Sequence, residues 1–353
     1  MPANATRPRS RVVYYLQTHN RPDQVARLVR VITAGSPDAI VLISHDAAGT
    51  PLDGPALESL GNVHVTLVKG GYGDFSHLDR YFAAVDWLDD HGIEYDWLEN
   101  LTGSDYPVRP VAEIEASLAA TTTDGYLQYA PVFPERVPAD ADRGTPGYRL
   151  ALPVYAKLRY DYRYWRFGVP TETKLRLMRP LMVVNLLQPW LKFNTSYAAA
   201  GVKIRRNLFG PDFPCYGGSF FCTLRPAAAR YVRDYARANP EAVTFFKRLL
   251  APEEVFLHSV LVNSGKFRFT TDNKRYIDWT GQRHTHPRTL GVEDLDKILA
   301  SGAHWARKVD MATDARLFDL LDEHVRFAGA IPPANLRNNL LTSQQPPRQQ
   351  SAG

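Results

Sequence analysis

Cysteine is scarce in this 353-residue chain, since only Cys215 and Cys222 occur. They lie seven positions apart, and neither has a histidine or a further cysteine at the spacing of a zinc finger. So few thiols indicate a reducing compartment, without excluding one disulfide bond. The cysteine content therefore argues against a zinc-finger protein and against a disulfide-rich secreted scaffold.

Long apolar runs are also absent, because no stretch reaches the roughly 18 apolar residues that a transmembrane helix needs. Residues 1–10 are polar and lack the apolar segment of a signal peptide. We therefore expect a cytoplasmic protein with a disordered N-terminus over these ten residues. Residues 331–353, rich in proline and glutamine, predict a disordered tail.

Two phosphate-binding motifs are missing as well. No G-x-G-x-x-G follows the first predicted strand, and no G-x-x-x-x-G-K occurs, which argues against a dinucleotide redox enzyme and a P-loop ATPase. The charge excess is small, 42 basic against 37 acidic residues, or +5. It suits phosphorylated or nucleotide substrates but does not indicate nucleic acid as a partner.

What the sequence does contain predicts an α/β fold. Apolar runs predict strands at 11–18, 39–44, 63–68 and 95–101, and helical periodicity predicts helices at 23–32 and 76–89. A strand, a helix and a second strand in succession indicate a mostly parallel central sheet flanked by helices. We expect a single domain over residues 11–330, with residues 150–206 as a basic and aromatic insertion.

Polar residues follow several of the predicted strands. His19 comes after the first strand, Asp46 after the second and Asp105 after the fourth. Ligands of such sheets bind outside the carboxyl ends of the strands, so Asp46 is a candidate for a ribose or base contact. The alternative is an ordinary loop residue that caps a turn, because aspartate is common in turns. His19 is open to the same two interpretations.

The insertion contains an apolar segment with basic flanks, residues 174–192. Pro180 and Pro189 interrupt it, so it is too broken to span a bilayer. It could lie on an anionic membrane surface, form an acceptor channel, or pack in the core beneath a solvated cationic rim.

The stretch from residue 251 to 310 combines acids with separated cations. Pro252 is followed by Glu253 and Glu254 and then by an apolar helical face, a setting that could hold a general base. Ordinary helix-start chemistry is the alternative, since acids are common in a first helical turn. Four cations follow, an order that suits a base beside an anion-binding wall: Arg275, Arg283, Arg288 and Lys308.

A D-x-D pair holds a cation against a donor diphosphate in many sugar transferases, and one candidate for such a pair occurs in this sequence. Asp140-Ala141-Asp142 has this form, but it lies in a loop rich in proline and arginine with no apolar strand before it. We therefore expect no metal site there. Fixed arginine and lysine side chains are the metal-free way to neutralise a leaving diphosphate.

Five segments together carry a resemblance to a known family. They are 100–109 (NLTGSDYPVR), 217–225 (GGSFFCTLR), 252–254 (PEE), 275–279 (RYIDW) and 306–310 (ARKVD). In this order they resemble the core-2/I-branching β-1,6-N-acetylglucosaminyltransferase and peptide xylosyltransferase family. The resemblance implies a GT-A-type fold, an inverting mechanism, a UDP-sugar donor, a carbohydrate or glycoconjugate acceptor, and no metal cofactor.

The resemblance also implies roles for single residues. Glu254 matches the family's general base, and Arg288 and Lys308 match the pair that meets the donor diphosphate. Asp46 matches an acid at a nucleotide-binding strand end, with His19 nearby, while Trp279 and Asp105 are the candidates for the acceptor site. GlcNAc or xylose is the sugar implied. A metal-dependent glycosyltransferase of another class and a non-catalytic carbohydrate-binding protein are the alternatives.

Overall fold

A computed structural model describes residues 10–138, 144, 158–168, 171–280 and 287–327. The predicted disordered ends lie outside this part of the chain, apart from Ser10, which is buried. Asp140-Ala141-Asp142 and Arg283 also lie outside it. The predictions made for those residues therefore stay predictions. Within the described ranges, no helix has both the length and the apolar character needed to cross a bilayer.

Seven strands form the main sheet, in the spatial order β13-β6-β12-β4-β1-β2-β3. They are β1 (Val12–Thr18), β2 (Ile40–Asp46), β3 (Val63–Val68), β4 (Trp97–Thr102), β6 (Gly125–Tyr126), β12 (Thr223–Leu224) and β13 (Phe269–Thr270). The first four strands are parallel, and β12 runs antiparallel to both of its neighbours. The predicted α/β class with a mostly parallel sheet is thereby confirmed.

Helices cover both faces of this sheet. Successive residues of a strand point to opposite faces, so Val13 and Tyr15 join one core cluster while Tyr14 and Leu16 join the other. The helices are α1 (Pro22–Gly35), α2 (Gly54–Glu58), α3 (Ser76–Asp90), α4 (Val111–Ala119), α5 (Glu172–Met178), α6 (Val184–Leu187), α7 (Pro226–Ala238), α8 (Pro240–Phe246), α9 (Glu253–Asn263), α10 (Leu295–Ala300) and α11 (Ala315–Phe327). Residues of α3, α7 and α9 belong to the first cluster, and those of α1, α4 and α11 to the second.

Three small sheets complete the described fold. An antiparallel sheet has the order β8-β10-β9, with β8 (Tyr162–Arg166), β9 (Leu191–Asn194) and β10 (Ala199–Lys203). A pair joins β7 (Tyr129–Pro131) to β11 (Tyr216–Gly218). A third sheet has the order β14-β15-β5, with β5 (Tyr106–Pro107), β14 (Arg275–Ile277) and β15 (Trp305–Arg307). Short 3₁₀ turns occupy Pro134–Arg136, Pro180–Val183 and Val292–Asp294.

The sequence of residues 213–224 predicts one turn followed by one strand, and the structure differs from this prediction. They form two short strands in different sheets, β11 and β12. Gly218 ends β11 against Gln128, whose carbonyl oxygen would lie 1.9 Å from a Cβ at this position. Only glycine permits that close approach, after which the chain crosses to the main sheet. The hydrophobic pattern did not show where one strand ends and the next begins.

The strand order creates a switch point between β1 and β4. From β1 the chain builds outward through β2 and β3, and it then returns to place β4 on the other side of β1. The connections on either side of β1 leave the sheet in opposite directions, which opens a crevice at the carboxyl ends of β1 and β4. This crevice positions the candidate site.

Candidate functional site

The crevice at the switch point is lined from three parts of the chain. The Gln24 amide on α1 donates to the carbonyls of Gly103, just after β4, and of Val309, just after β15. The Arg21 guanidinium pairs with the carboxylate of Asp310. These contacts join α1, the loop after β4 and the segment after β15, and they bring Lys308 to the crevice.

Lys308 is the cation there that lacks a counter-charge in contact with it. Its side chain is half-buried, and its ammonium makes no hydrogen bond or ion pair with any residue the structure describes. Burial lowers the pKa of Lys308, and the positive charges of Arg307 and Arg21 lower it further, while Asp310 opposes them. A bound anion would relieve this unfavourable arrangement, so the position suits a phosphate group.

His19 and Asp46 lie near each other at the ends of adjacent strands, as expected. Burial raises the pKa of Asp46, but hydrogen bonds from the backbone N–H groups of Gly70 (3.0 Å) and Ala48 (3.1 Å) hold it below its usual value overall. His19 is exposed, and partial desolvation lowers its pKa against the opposing charge of Asp46. A Cβ on Gly70 would lie 2.4 Å from the Asp46 carboxylate. Glycine at this position therefore lets the backbone approach Asp46 closely.

Asp105, an acceptor-site candidate, has a fully buried side chain. Both of its carboxylate oxygens accept from the Arg307 guanidinium at 3.2 Å, and Oδ2 also accepts from the backbone N–H and hydroxyl of Thr102. The Arg307 guanidinium lies 3.6 Å from the ring centroid of Phe221. This geometry favours a structural role for Asp105, which shapes the loop after β4, and its contact with an acceptor remains an untested prediction.

Arg275 does not belong to an exposed anion-binding wall, which corrects that expectation. Its side chain is completely buried, and its guanidinium donates to the Glu99 carboxylate at 2.8 Å and to the carbonyl of Asn100 at 2.6 Å. Burial raises the pKa of Glu99, and the Arg275 charge opposes that shift. Thr223 donates its hydroxyl to the same carboxylate at 2.6 Å. The group joins the main sheet to the sheet that contains β14.

Arg288 already has carboxylate partners. Its guanidinium pairs with Asp278 at 2.7 Å, with Asp294, and more loosely with Glu293 at 3.4 Å. Its backbone is tied to the crevice through its neighbour Leu290, whose N–H donates to the carbonyl of Lys308 at 2.8 Å. Arg288 therefore offers less uncompensated positive charge than Lys308. Its predicted contact with a diphosphate remains untested.

Trp279 is the acceptor-site candidate that the structure leaves accessible. It follows Asp278, the partner of Arg288, and 47% of its surface is exposed. An exposed indole can stack its apolar face on an apolar face of a sugar ring while the indole N–H stays in contact with water. The position is compatible with the predicted acceptor contact, which no measurement has tested.

Glu254 lies in the first turn of α9, as the sequence predicts, and it has a partner that the sequence did not reveal. Arg159 Nη1 donates to Glu254 Oε2 at 2.6 Å, and its guanidinium lies 5.7 Å from the ring centroid of Tyr197. The charge of Glu254 raises the pKa of Arg159 against the effect of burial. The alternation of cations and aromatics from Arg159 onward was the available signal, but sequence alone could not pair it with α9.

Glu253 stands in contrast to its neighbour. Its Oε2 is buried and has no hydrogen-bond partner among the described residues. Burial, reinforced by the negative charge of Glu254, raises the pKa of Glu253 to about 8. Glu253 is thus largely protonated at neutral pH, whereas the adjacent Glu254 makes an ion pair with Arg159.

The start of α9 is held against the loop that follows β3. The Ala251 N–H donates to the Gly73 carbonyl at 3.0 Å, and Arg166 donates to the carbonyls of Gly73 and Leu249. Ala251 has a φ of 47°, a left-handed conformation that is costly for alanine and that these contacts stabilise. The start of α9, which carries Glu254, thus packs on the loop after β3, whereas Lys308 follows β15. No hydrogen bond or ion pair between described residues joins them directly.

Within the described ranges, no three histidine, cysteine or acidic side chains group as metal ligands. A second D-x-D sequence, Asp294-Leu295-Asp296, was not identified in the sequence analysis. The Asp294 carboxylate pairs with Arg288 and accepts the Gly291 N–H at 3.0 Å, so it has a structural role.

Comparison with known proteins finds similarity to plant proteins. No family model matches the chain. Beta-glucuronosyltransferase GlcAT14A of Arabidopsis thaliana is 23% identical over 250 residues, which cover 69% of this chain and 46% of that protein. Beta-glucuronosyltransferase GlcAT14B of the same plant is 25% identical over 118 residues, 33% of this chain and 27% of that protein. The matches thus span less than half of either relative.

Among solved structures, a cytidylyltransferase from Leptospira borgpetersenii matches with a TM-score of 0.24 and 13% identity, over 35% of this chain and 53% of that one. A score this low supports no inference about function. The plant relatives support a similarity to glycosyltransferases in general. They do not support core-2/I-branching or xylosyltransferase membership in particular.

Proposed function

We propose that this chain is an inverting glycosyltransferase that moves a sugar from a UDP-sugar to an acceptor hydroxyl without a metal cofactor. The observation that carries the proposal is the half-buried ammonium of Lys308 in the crevice between β1 and β4, which has no ion-pair partner among the residues that the structure describes. A cation without a counter-charge at a switch point suits an anionic nucleotide ligand. The similarity to plant glycosyltransferases makes a nucleotide-sugar donor the best fit.

Glu254 is the proposed general base. Its ion pair with Arg159 orients the carboxylate before the acceptor arrives. The acceptor hydroxyl oxygen forms a bond to the anomeric carbon as the bond from that carbon to the diphosphate oxygen breaks on the opposite face. The hydroxyl proton passes to Glu254, and UDP leaves with the bonding electron pair. This in-line displacement inverts the configuration at the anomeric carbon.

The nucleotide end of the donor is proposed to lie along the edge of the sheet. Lys308 stabilises the charge that develops on the leaving diphosphate, assisted by Arg288 if a phosphate displaces its carboxylate partners. We propose that His19 and Asp46 contact the nucleoside and that Trp279 contacts the acceptor. GlcNAc and xylose follow from the sequence resemblance, and the names of the plant relatives add glucuronic acid as a candidate sugar.

Glu254→Gln tests the proposal. The amide cannot accept a proton, so we expect sugar transfer to fall about 10²–10⁴-fold while UDP affinity stays within about twofold, since the base does not contact the diphosphate. Transfer is measured by UDP release from UDP-GlcNAc, UDP-xylose and UDP-glucuronate, and UDP affinity by calorimetry.

Glu241→Gln is the matched control, because Glu241 also follows a proline in the first turn of a helix, α8, but is exposed. It should transfer sugar like the parent protein. Full activity in Glu254→Gln would remove the assignment of the base.

A further inference from the structure

Residues 172–203 carry an exposed apolar surface that is separate from the crevice. Leu186 is 86% exposed and Leu187 77%, and Leu177, Val183, Trp190 and Leu191 are also exposed. Monomeric soluble proteins rarely expose so many large apolar side chains together, and such surfaces mark interaction sites. The expectation that this segment packs in the core is not met, because these side chains face outward.

Hydrogen bonds nevertheless hold the backbone of this segment in place. The Asn185 side chain accepts the Phe193 N–H at 2.8 Å and donates to the Phe193 carbonyl at 2.8 Å, and Lys192 donates to the Asn185 carbonyl at 2.7 Å. The Tyr162 hydroxyl on β8 donates to the Pro189 carbonyl at 2.7 Å. These contacts fix the 3₁₀ turn, α6 and the hairpin of β9 and β10 as one unit. The apolar side chains are therefore displayed by ordered backbone.

The charge of this surface restricts what can cover it. Residues 172–203 contain five cations (Lys174, Arg176, Arg179, Lys192 and Lys203) and a single acid, Glu172, which pairs with Arg176. A second copy of the same face would bring like charges together, which disfavours self-association. An anionic lipid surface instead attracts the cations while its acyl boundary accepts the leucines and the tryptophan.

We propose that this surface docks on a bilayer that contains anionic lipid. Trp190 and the leucines enter the headgroup and acyl boundary, and the surrounding cations meet the lipid phosphates. Arg159, the partner of Glu254, lies three positions before β8, a strand of the sheet that supports this surface.

Vesicle co-sedimentation of the full chain tests the proposal, with no sugar donor present, so that the result does not depend on the proposed function. We expect binding to phosphatidylcholine vesicles that contain 30% phosphatidylglycerol and at least tenfold weaker binding to phosphatidylcholine alone. Leu186→Glu should weaken binding to the anionic vesicles about tenfold or more, because it removes a leucine from the apolar contact. Arg179→Glu should weaken it roughly fivefold or more, the contribution of one cation near an anionic surface.

Two substitutions of the same chemistry serve as controls. Leu67→Glu alters an exposed leucine of β3, 64% accessible, and Lys297→Glu alters an exposed lysine of α10. Both should bind within twofold of the parent protein. The proposal is overturned if the parent protein ignores anionic vesicles, or if Leu186→Glu and Leu67→Glu bind alike. It is equally overturned if sedimentation velocity shows a dimer that Leu186→Glu dissociates, since a second copy would then cover the surface.

Discussion

At the scale of single residues, the cations between residues 275 and 308 differ in whether a carboxylate compensates their charge. Arg275, Arg288 and Arg307 each contact a carboxylate, whereas Lys308 contacts none among the described residues. All four cations lie between residues 275 and 308, and composition does not separate them. The unpaired lysine is the one whose environment improves when an anion binds.

Replacement of Lys308 by methionine should weaken UDP binding without lowering the melting temperature of the ligand-free protein. Loss of a charge-assisted contact should raise the Kd for UDP about 10–100-fold, from roughly 1.5–3 kcal/mol for such a contact. Because the pKa of Lys308 is lowered, its protonation costs folding free energy at neutral pH, so the ligand-free variant should melt no lower than the parent protein.

Calorimetry with UDP and thermal unfolding without it measure the two effects. Lys297→Met, on the exposed side of α10, is the control and should change neither. Parent-like UDP affinity in Lys308→Met would place the diphosphate elsewhere.

At the scale of secondary-structure elements, buried ion pairs connect one sheet to another. Arg275 on β14 meets Glu99 on β4, and Arg307 on β15 meets Asp105 after β4. Both pairs connect the small sheet of β14, β15 and β5 to β4 of the main sheet or to the loop after it. Buried pairs of this kind add little over an apolar contact, but removing one partner leaves an isolated charge.

Arg275→Met should therefore lower the free energy of unfolding by about 3–5 kcal/mol. The same substitution at Arg237, which pairs with Asp86 at an exposed position, should cost at most about 1 kcal/mol. Chemical denaturation measures both.

Adding Glu99→Gln to Arg275→Met should restore part of the loss, because the amide carries no charge and still accepts from Thr223. If Arg275→Met were as stable as Arg237→Met, the pair would not join the two sheets energetically.

At the scale of the whole molecule, the order of the strands decides where a ligand can bind. The reversal between β1 and β4 opens one crevice, and segments far apart in sequence complete it: the start of α1, the loop after β4 and the segment after β15. The start of α9 contacts the loop after β3 through Gly73.

A ligand at this crevice should stabilise the entire fold. At a UDP concentration 100 times its Kd, the free energy of unfolding should rise by about 2.7 kcal/mol. Differential scanning fluorimetry reads this as a higher Tm. ADP, with similar charge and a purine base, is the control and should have a smaller effect.

The proposed mechanism uses fixed cations, so EDTA should alter neither the UDP-dependent shift in Tm nor the rate of sugar transfer. A shift that appears only with added Mn²⁺ or Mg²⁺ would instead indicate a metal-dependent transferase.

The sequence alone was sufficient for the α/β class, the four parallel strands and the helices around them, because these depend on local hydrophobic period and on the short connections between neighbouring elements. It also located Glu254 in the first turn of a helix, since Pro252 and the apolar run after it are local signals. The sequence predicted the strands of residues 213–224 less accurately, because the hydrophobic pattern around Gly217 and Gly218 does not show that the chain passes from one sheet to another.

Only the tertiary structure decided which charged groups meet. Arg159 and Glu254 are 95 positions apart, Arg275 and Glu99 are 176 apart, and Arg307 and Asp105 are 202 apart. Electrostatic partners at such separations are set by the packing of complete elements, and periodicity in sequence carries no information about them. For the same reason sequence could not tell Lys308, which has no counter-charge in contact with it, from the buried Arg275, and it could not show that the leucines of residues 172–203 face outward.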